Sequence, residues 1–195
     1  MRTCILRYQH AIASGYYSQG YETPDDGSTM LTALTKCDED SWCSGLAEDN
    51  LTMTRESWHA GTYSHQWGTS AIIGVVQGLM GVHQTSPTYA TFTVKPKLGG
   101  LKHGAITVPT LRGYINVTAA AGSVDVEVPC STAATLCLPR SASDNGMLYL
   151  PETHVLLLDG VKVDAVASGN HLCVAAPVGC GAAGAARTLR AQPRF

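Results

Sequence analysis

Residues 105–128 have the sequence AITVPTLRGYINVTAAAGSVDVEV, in which apolar and polar side chains alternate through short runs. Pro109 and Gly122 interrupt the alternation, and β-branched residues are frequent between them. Period-two alternation punctuated by Gly and Pro predicts short antiparallel strands that bury one face. Strand-like runs also occur at residues 89–94, 155–158, 161–163 and 171–175, so we predict a small β-sandwich over residues 87–180.

The later part of this region shows where strands turn and where they end. Asp159-Gly160 separates two strand-like runs and predicts a hairpin with a type I′ turn, because these residue types tolerate the positive φ that the turn requires. Residues 181–195 are rich in Gly and Ala and contain three Arg. We therefore expect a loose C-terminal tail over residues 181–195.

The chain before residue 86 has a helical pattern instead. Apolar side chains recur at three- and four-residue intervals in residues 29–37, and a second helix is predicted over residues 69–82. The second helix is apolar on all sides, which is typical of a helix inside a larger assembly. We predict an α+β chain in two parts, with helices in residues 1–86 followed by the sandwich.

Composition excludes several classes of protein. The chain has 195 residues, 45% hydrophobic and 14% charged, and a net charge of -2. These values argue against a disordered chain and give no basic surface for nucleic acid. The apolar run at residues 71–76 is too short to span a bilayer, and Arg7 interrupts any secretory signal. We expect neither a nucleic-acid partner nor a membrane partner.

Cysteines, histidines and glycosylation sequons give no further site. None of the seven cysteines forms a C-x-x-C pair, and we expect most of them to be buried free thiols, with disulfides as the alternative if the chain is secreted. The histidines lack the spacing of metal ligands, so no metal and no cofactor are expected. We interpret the sequons at Asn50 and Asn116 as incidental.

The densest cluster of polar, aromatic and titratable residues lies at residues 52–68. Glu56 is close to Trp58, and His65 is close to Trp67. Sugars present apolar faces that stack on aromatic rings and hydroxyls that bond to carboxylate and imidazole, so this composition is typical of a sugar site. The alternative is a packing region in which both Trp side chains are in a core and a backbone carbonyl satisfies His65.

Several motifs in register extend this interpretation, among them Thr52-Met53-Thr54-Arg55-Glu56-Ser57-Trp58, Ser64-His65-Gln66-Trp67-Gly68 and Val108-Pro109-Thr110-Leu111-Arg112-Gly113. From Ser41 to Val128 the chain resembles the C-terminal part of the α-L-rhamnosidases of the six-hairpin glycosidase superfamily. The resemblance implies the last helices of an (α/α)6 barrel followed by a β-sandwich, and it implies removal of terminal α-L-rhamnose with inversion. The matching segments are residues 41–42, 52–58, 64–68, 81–82, 94–99, 108–113 and 126–129.

The resemblance also implies roles for individual residues. Glu56 takes the position of the general base, and His65 that of a residue lining the sugar subsite. Trp58 and Trp67 take the positions of aromatics that shape the pocket. Inverting hydrolysis needs a second carboxyl group as general acid. The candidates at residues 25, 26, 38, 39 and 40 lie in exposed, turn-like runs, so no general acid is assigned.

Length limits what the chain can do alone. Twelve barrel helices need roughly 200 residues, more than residues 1–86 supply. We therefore expect a fragment that recognises a rhamnose-containing glycoside but has little activity, and we expect self-association through the helix at residues 69–82. The alternatives are a non-catalytic carbohydrate-binding or partner-docking module, and a truncated product that folds poorly.

Overall fold

The computed structural model describes residues 31–32, 35–37, 43, 52–54, 62–64, 69–98, 100–120, 122–140 and 154–193. Strands dominate these residues and form two sheets that enclose one hydrophobic core. The predicted β-sandwich is confirmed. The described helical residues lie before residue 80, apart from single 3-10 turns between strands.

In the part of the chain that the structure describes, eleven strands build the two sheets. Along the chain they are β1 (Val82–Gln84), β2 (Thr91–Val94), β3 (His103–Thr110), β4 (Gly113–Ala120), β5 (Ser123–Glu127), β6 (Ala133–Pro139), β7 (His154–Leu158), β8 (Val161–Val163), β9 (Ala165–Ser168), β10 (His171–Val174) and β11 (Arg187–Pro193). One sheet has the order β1-β2-β6-β10-β9 and the other the order β3-β4-β5-β11-β7-β8. Neighbouring strands pair antiparallel, except that β2 and β6 pair in parallel.

The core lies between the two sheets and follows the predicted alternation. In β4, Ile115, Val117 and Ala119 are at most 1% exposed, while the residues between them point outward. Because successive side chains of a strand alternate between faces, one apolar set per strand is enough to fill the core. Burying each large aliphatic side chain contributes about 1.5–3 kcal/mol. The largest fully buried side chains include Phe92, Leu136, Leu138, Leu156, Leu172 and Leu189.

The β7–β8 hairpin has the predicted turn. Leu158 pairs with Val161, which leaves a two-residue loop. Asp159 has φ 52° and Gly160 has φ 82°, and positive φ at both central residues is the signature of a type I′ turn. The carboxylate of Asp159 also accepts a hydrogen bond from the backbone N–H of Thr188 at 2.8 Å, which ties this turn to β11.

The helix predicted over residues 69–82 is shorter than expected. Helix α1 (Ser70–Ile73) continues as a π-helical turn over Gly74–Leu79, and Val82 already belongs to β1. The chain turns at Gly81, whose φ is +64° and whose carbonyl accepts the N–H of Lys95 at 3.0 Å. A Cβ at position 81 would overlap the Lys95 backbone, so Gly is required there.

The other predicted helix and the barrel are covered only in part. Leu31, Thr32 and Thr35 are helical, and Lys36 N–H donates to the carbonyl of Thr32 at 2.9 Å. Most of residues 1–68 lies outside the described residues, so the barrel helices and the division at residue 86 stay predictions. No helix in the described part of the chain has the length and apolar character needed to cross a membrane.

The expected loose tail is wrong for residues 187–193. These residues form β11, which lies inside the six-stranded sheet and pairs with β5 on one side and β7 on the other. Leu189 is fully buried in the core. Hydrogen bonds to two neighbouring strands do not depend on side-chain type, so a strand rich in Arg and Ala can hold a central position that its composition does not indicate.

The expectation that most cysteines are free thiols is also wrong. Cys137 and Cys173 face each other across β6 and β10 and form a disulfide, with their Cα atoms 4.0 Å apart. Cys130 and Cys180 form a second, with a Cα separation of 4.7 Å. Cys137 and Cys173 lie between Cys130 and Cys180 in the sequence, so the second disulfide encloses the first. This order is consistent with the antiparallel pairing of β6 with β10. A third joins Cys37 to Cys43.

Candidate functional site

The four predicted site residues, Glu56, Trp58, His65 and Trp67, lie outside the described residues. The segments that lead into the two motifs are described at residues 52–54 and 62–64. They meet: the N–H of Ser64 donates to the carbonyl of Thr54 at 2.7 Å, and Ser64 Oγ lies 3.9 Å from Met53 Sδ. The fold therefore brings together the backbone two residues before Glu56 and the backbone one residue before His65.

A cluster of basic side chains lies on the five-stranded sheet, next to the π-helical turn Gly74–Leu79. Leu172 faces the core, so its neighbour His171 points to the outer face of the sheet. His171 Nε2 lies 3.0 Å from the carbonyl oxygen of Pro96, and Lys95 Nζ donates to Ser168 Oγ at 2.8 Å. We call His83, Lys95, Lys97 and His171 the basic cluster.

Burial controls the protonation of this cluster. The pKa of His171 is lowered to about 4, mainly by loss of solvation and also by the positive charges of Lys97 and Lys95, while hydrogen bonds to backbone carbonyls partly oppose the shift. Burial and then the charge of Lys95 lower the pKa of His83 to about 4. Both imidazoles are therefore neutral at pH 7, which suits hydrogen bonding and excludes a role as cationic acids.

Acid is expected to destabilise the fold through His171. The unfolded chain binds a proton to this imidazole below about pH 6.5, whereas the folded chain resists it until about pH 4. Stability is thus complete above pH 6.5 and falls by roughly 3 kcal/mol as the pH approaches 4. Urea unfolding at pH 7 and pH 4 measures this loss. His171→Asn should reduce the pH dependence, and an unchanged dependence in that variant would contradict the assignment.

A second polar network fixes the loops at the opposite end of the sandwich. Arg112, in the β3–β4 turn, donates through Nε to Thr88 Oγ1 at 3.0 Å and through Nη1 to the carbonyl of Ser131 at 3.2 Å. Thr88 has φ 57°, which is rare for a β-branched residue and needs support of this kind. Sequence reasoning missed Arg112, although its position in the turn of the Thr-Leu-Arg-Gly motif was a usable signal.

A groove of about 400 Å³ lies between β8 and the segment that follows β10. Val174 and Val178 at its base are 4% and 5% exposed, and Lys162 and Asp164 contribute one charge of each sign. The lining includes no Ser, Thr, Cys, His or aromatic side chain, so the groove lacks the hydroxyl or thiol nucleophile with an adjacent imidazole base that covalent catalysis often uses. Within the described ranges, no group of three or more His, Cys, Asp or Glu residues is placed to hold a metal ion.

Comparison with known proteins identifies the sandwich. Residues 81–150 match the family model of the bacterial α-L-rhamnosidase C-terminal domain. The structure is similar to that of an α-L-rhamnosidase from Dictyoglumus thermophilum, with a TM-score of 0.72 and 15% identity, over 96% of this chain and 21% of that one. It is also similar to a Streptomyces avermitilis α-L-rhamnosidase complexed with L-rhamnose, with a TM-score of 0.59 and 14% identity, over 83% of this chain and 16% of that one.

These matches cover only part of the known proteins, and their sequence identity is low. No curated protein matches this chain. At 15% and 14% identity the solved structures show the fold alone, and the chain spans about a fifth of the length of the Dictyoglumus enzyme. Residues 81–150 of this chain are therefore similar to the C-terminal domain of the bacterial α-L-rhamnosidases, and the fold of the chain is similar to the matching part of two solved α-L-rhamnosidases.

Proposed function

We propose that this chain takes part in the inverting hydrolysis of terminal α-L-rhamnose, as the C-terminal part of the enzyme that performs it. The match of residues 81–150 to the rhamnosidase C-terminal domain carries this proposal. The Glu56-Ser57-Trp58 and His65-Gln66-Trp67 motifs precede that domain in the order of the family. L-rhamnose, present in the Streptomyces structure, is the expected ligand.

In this proposal Glu56 is the general base that accepts a proton from the attacking water. His65 bonds to sugar hydroxyls, and Trp58 stacks on the apolar face of the ring, with Trp67 beside it. The hydrogen bond between Ser64 and Thr54 supports a shared site, because it joins the two segments that lead into these motifs.

We propose that the general acid of this reaction lies outside this sequence. Inversion needs a protonated carboxyl group about 6.5–9.5 Å from the base, on the other face of the sugar. No carboxyl group of this chain is assigned that role. Its absence removes general acid assistance worth roughly 10²–10⁴-fold in rate. The chain alone is therefore expected to hydrolyse an aryl α-L-rhamnoside at no more than background rate.

The exposed face of the helix near residue 70 supports this view. Ile72 is 61% exposed and Val75 is 37% exposed. Apolar side chains exposed together on one helix indicate a contact with a partner. We propose that this helix packs against the remaining barrel helices, and that the isolated chain self-associates through it. Light scattering that shows a monomer at all concentrations would contradict the proposal.

The decisive experiment is a chimera in which this chain replaces the matching fifth of the Dictyoglumus enzyme. Hydrolysis of an aryl α-L-rhamnoside is expected, and Glu56→Gln should abolish it. Glu127→Gln changes an exposed carboxylate of the sandwich and is the matched control. A folded chimera that is inactive, or that stays active with Glu56→Gln, would overturn the assignment of the base. The chain alone could also hydrolyse the rhamnoside and lose this activity with Glu56→Gln. That result would support Glu56 as the base and would refute only the proposal that the general acid lies outside this sequence.

A non-catalytic carbohydrate-binding or docking module is the second candidate. The groove beside β8 favours it, because its aliphatic base and its two side chains of opposite charge suit the binding of a ligand. Calorimetry with L-rhamnose distinguishes the two functions. Affinity that is lost with Lys162→Ala but unchanged by Glu56→Gln would identify the module, whereas the reverse pattern would identify the enzyme site.

A further inference from the structure

We propose that Asn116 is a site of N-linked glycosylation. Asn116-Val117-Thr118 is an acceptor sequon, which on its own has a high rate of chance occurrence. The structure adds the placement of this sequon in the fold and the disulfides of the same domain. Together they change the interpretation of the motif from an incidental one to a functional one.

The placement leaves room for a glycan. Ile115 and Val117 of β4 are at most 1% exposed and face the core, so Asn116 and Thr118 point to the outer face of the six-stranded sheet. Thr118 is exposed, and Tyr114 on the same face is 67% exposed. A sugar attached to Asn116 would therefore project into solvent and leave the core unchanged.

The side-chain contacts of Asn116 are also compatible with modification. Its Oδ1 accepts a hydrogen bond from Thr107 Oγ1 at 2.7 Å, and its Nδ2 donates to Glu127 Oε2 at 2.5 Å. An amide nitrogen carries two hydrogens, and glycosylation replaces one of them. The remaining N–H can keep the bond to Glu127, and the oxygen keeps the bond to Thr107.

The reaction requires a polyprenyl-pyrophosphate-linked oligosaccharide as co-reactant. The Nδ2 atom of Asn116 forms a bond to the anomeric carbon, and the bond from that carbon to the pyrophosphate oxygen breaks. The lipid pyrophosphate leaves with the bonding electrons, and Nδ2 loses one proton to a base of the transferase. No oxidant or reductant is needed.

The disulfides indicate the compartment in which this reaction occurs. Cys130–Cys180 and Cys137–Cys173 both lie within the sandwich that carries Asn116. Structural disulfides form and persist in oxidising compartments and are rare in the cytosol. In eukaryotic cells the secretory pathway is both oxidising and the place of N-glycosylation. The pairing of cysteines thus supports glycosylation independently of the sequon.

The test directs the full chain into the secretory pathway of a eukaryotic host and recovers both secreted and retained protein. Peptide N-glycosidase in heavy-oxygen water converts a glycosylated Asn to labelled Asp. We expect this label at position 116, in the tryptic peptide that spans residues 113–140. An unlabelled peptide from chain whose two sandwich disulfides have formed would overturn the proposal, as would a label at Asn50 alone.

Two variants separate modification from folding. Thr118→Ala removes the sequon hydroxyl but leaves Asn116 with its contacts to Thr107 and Glu127. It should therefore lose the label, and it should keep the unfolding midpoint of a parent chain that was produced without the glycan and still has Asn116. Thr118→Ser keeps the sequon and should keep the label. A label that persists in Thr118→Ala would show that the sequon does not direct the modification, and the proposal would fail.

Discussion

Deletion of residues 187–195 is expected to unfold the β-sandwich completely. The deletion removes β11, which lies between β5 and β7, so it separates β3–β5 from the β7–β8 hairpin. Both neighbouring strands lose their hydrogen-bond partner, and the core loses Leu189. Truncation of one buried Leu to Ala costs about 2–5 kcal/mol, and a domain of this size has only about 5–15 kcal/mol of stability.

Urea unfolding followed by circular dichroism measures this effect. Deletion of residues 194–195 alone, beyond the end of β11, is the matched control and should leave the unfolding midpoint unchanged. Leu189→Ala should fall between the two, with a loss of about 2–5 kcal/mol. A cooperative transition of the longer deletion at the midpoint of the intact chain would show that the sheet does not need β11.

Removal of the Cys137–Cys173 disulfide is expected to have the second largest effect. The disulfide joins residues 36 apart in sequence, but the Cys130–Cys180 disulfide already links the two ends of this segment. The additional loop that it closes in the unfolded chain is therefore only about 15 residues long, which stabilises the folded state by roughly 3 kcal/mol. Cys137→Ala/Cys173→Ala should lower the free energy of unfolding by an amount of this order. Equal stability of the variant and the oxidised parent would contradict the proposed role of the disulfide.

Reduction supplies a control for the same prediction. Cys130 is exposed, whereas Cys137 and Cys173 are 0% and 2% exposed. A mild reductant should therefore open Cys130–Cys180 first and leave Cys137–Cys173 intact until the domain unfolds. Alkylation followed by mass spectrometry gives the order of opening. Simultaneous loss of both bonds in the folded protein would contradict the burial argument.

Sequence predicted those strands in which the alternation of side chains or the flanking turn residues are clear, and it predicted β10 although all four of its residues are buried. β3, β4 and β5 alternate clearly, and the Asp-Gly turn fixed the β7–β8 hairpin. β6 was missed because Leu136, Cys137 and Leu138 are all buried, so the strand has no polar face to show the period. β11 was missed because its outward residues are Arg and Thr and its composition is typical of a tail.

Some functional features could likewise be proposed from the sequence, and others depend on the fold. Glu56 and His65 could be proposed as site residues from linear motifs, and both their roles and their arrangement stay predictions. The pairing of the cysteines could not be derived, because equal spacing of two pairs is compatible with more than one connectivity. The basic cluster could not be predicted either, since only the fold brings His83, Lys95 and His171 to one face.

The position of β11 also has a consequence for protein synthesis. β5 ends at Glu127, and its neighbour β11 begins at Arg187. At roughly 5–20 residues per second, β5 leaves the ribosome several seconds before β11 exists. During that interval the nascent chain presents the open edge of β5, which can pair with the wrong strand. Ribosome-associated chaperones that cover this edge should therefore raise the yield of native protein.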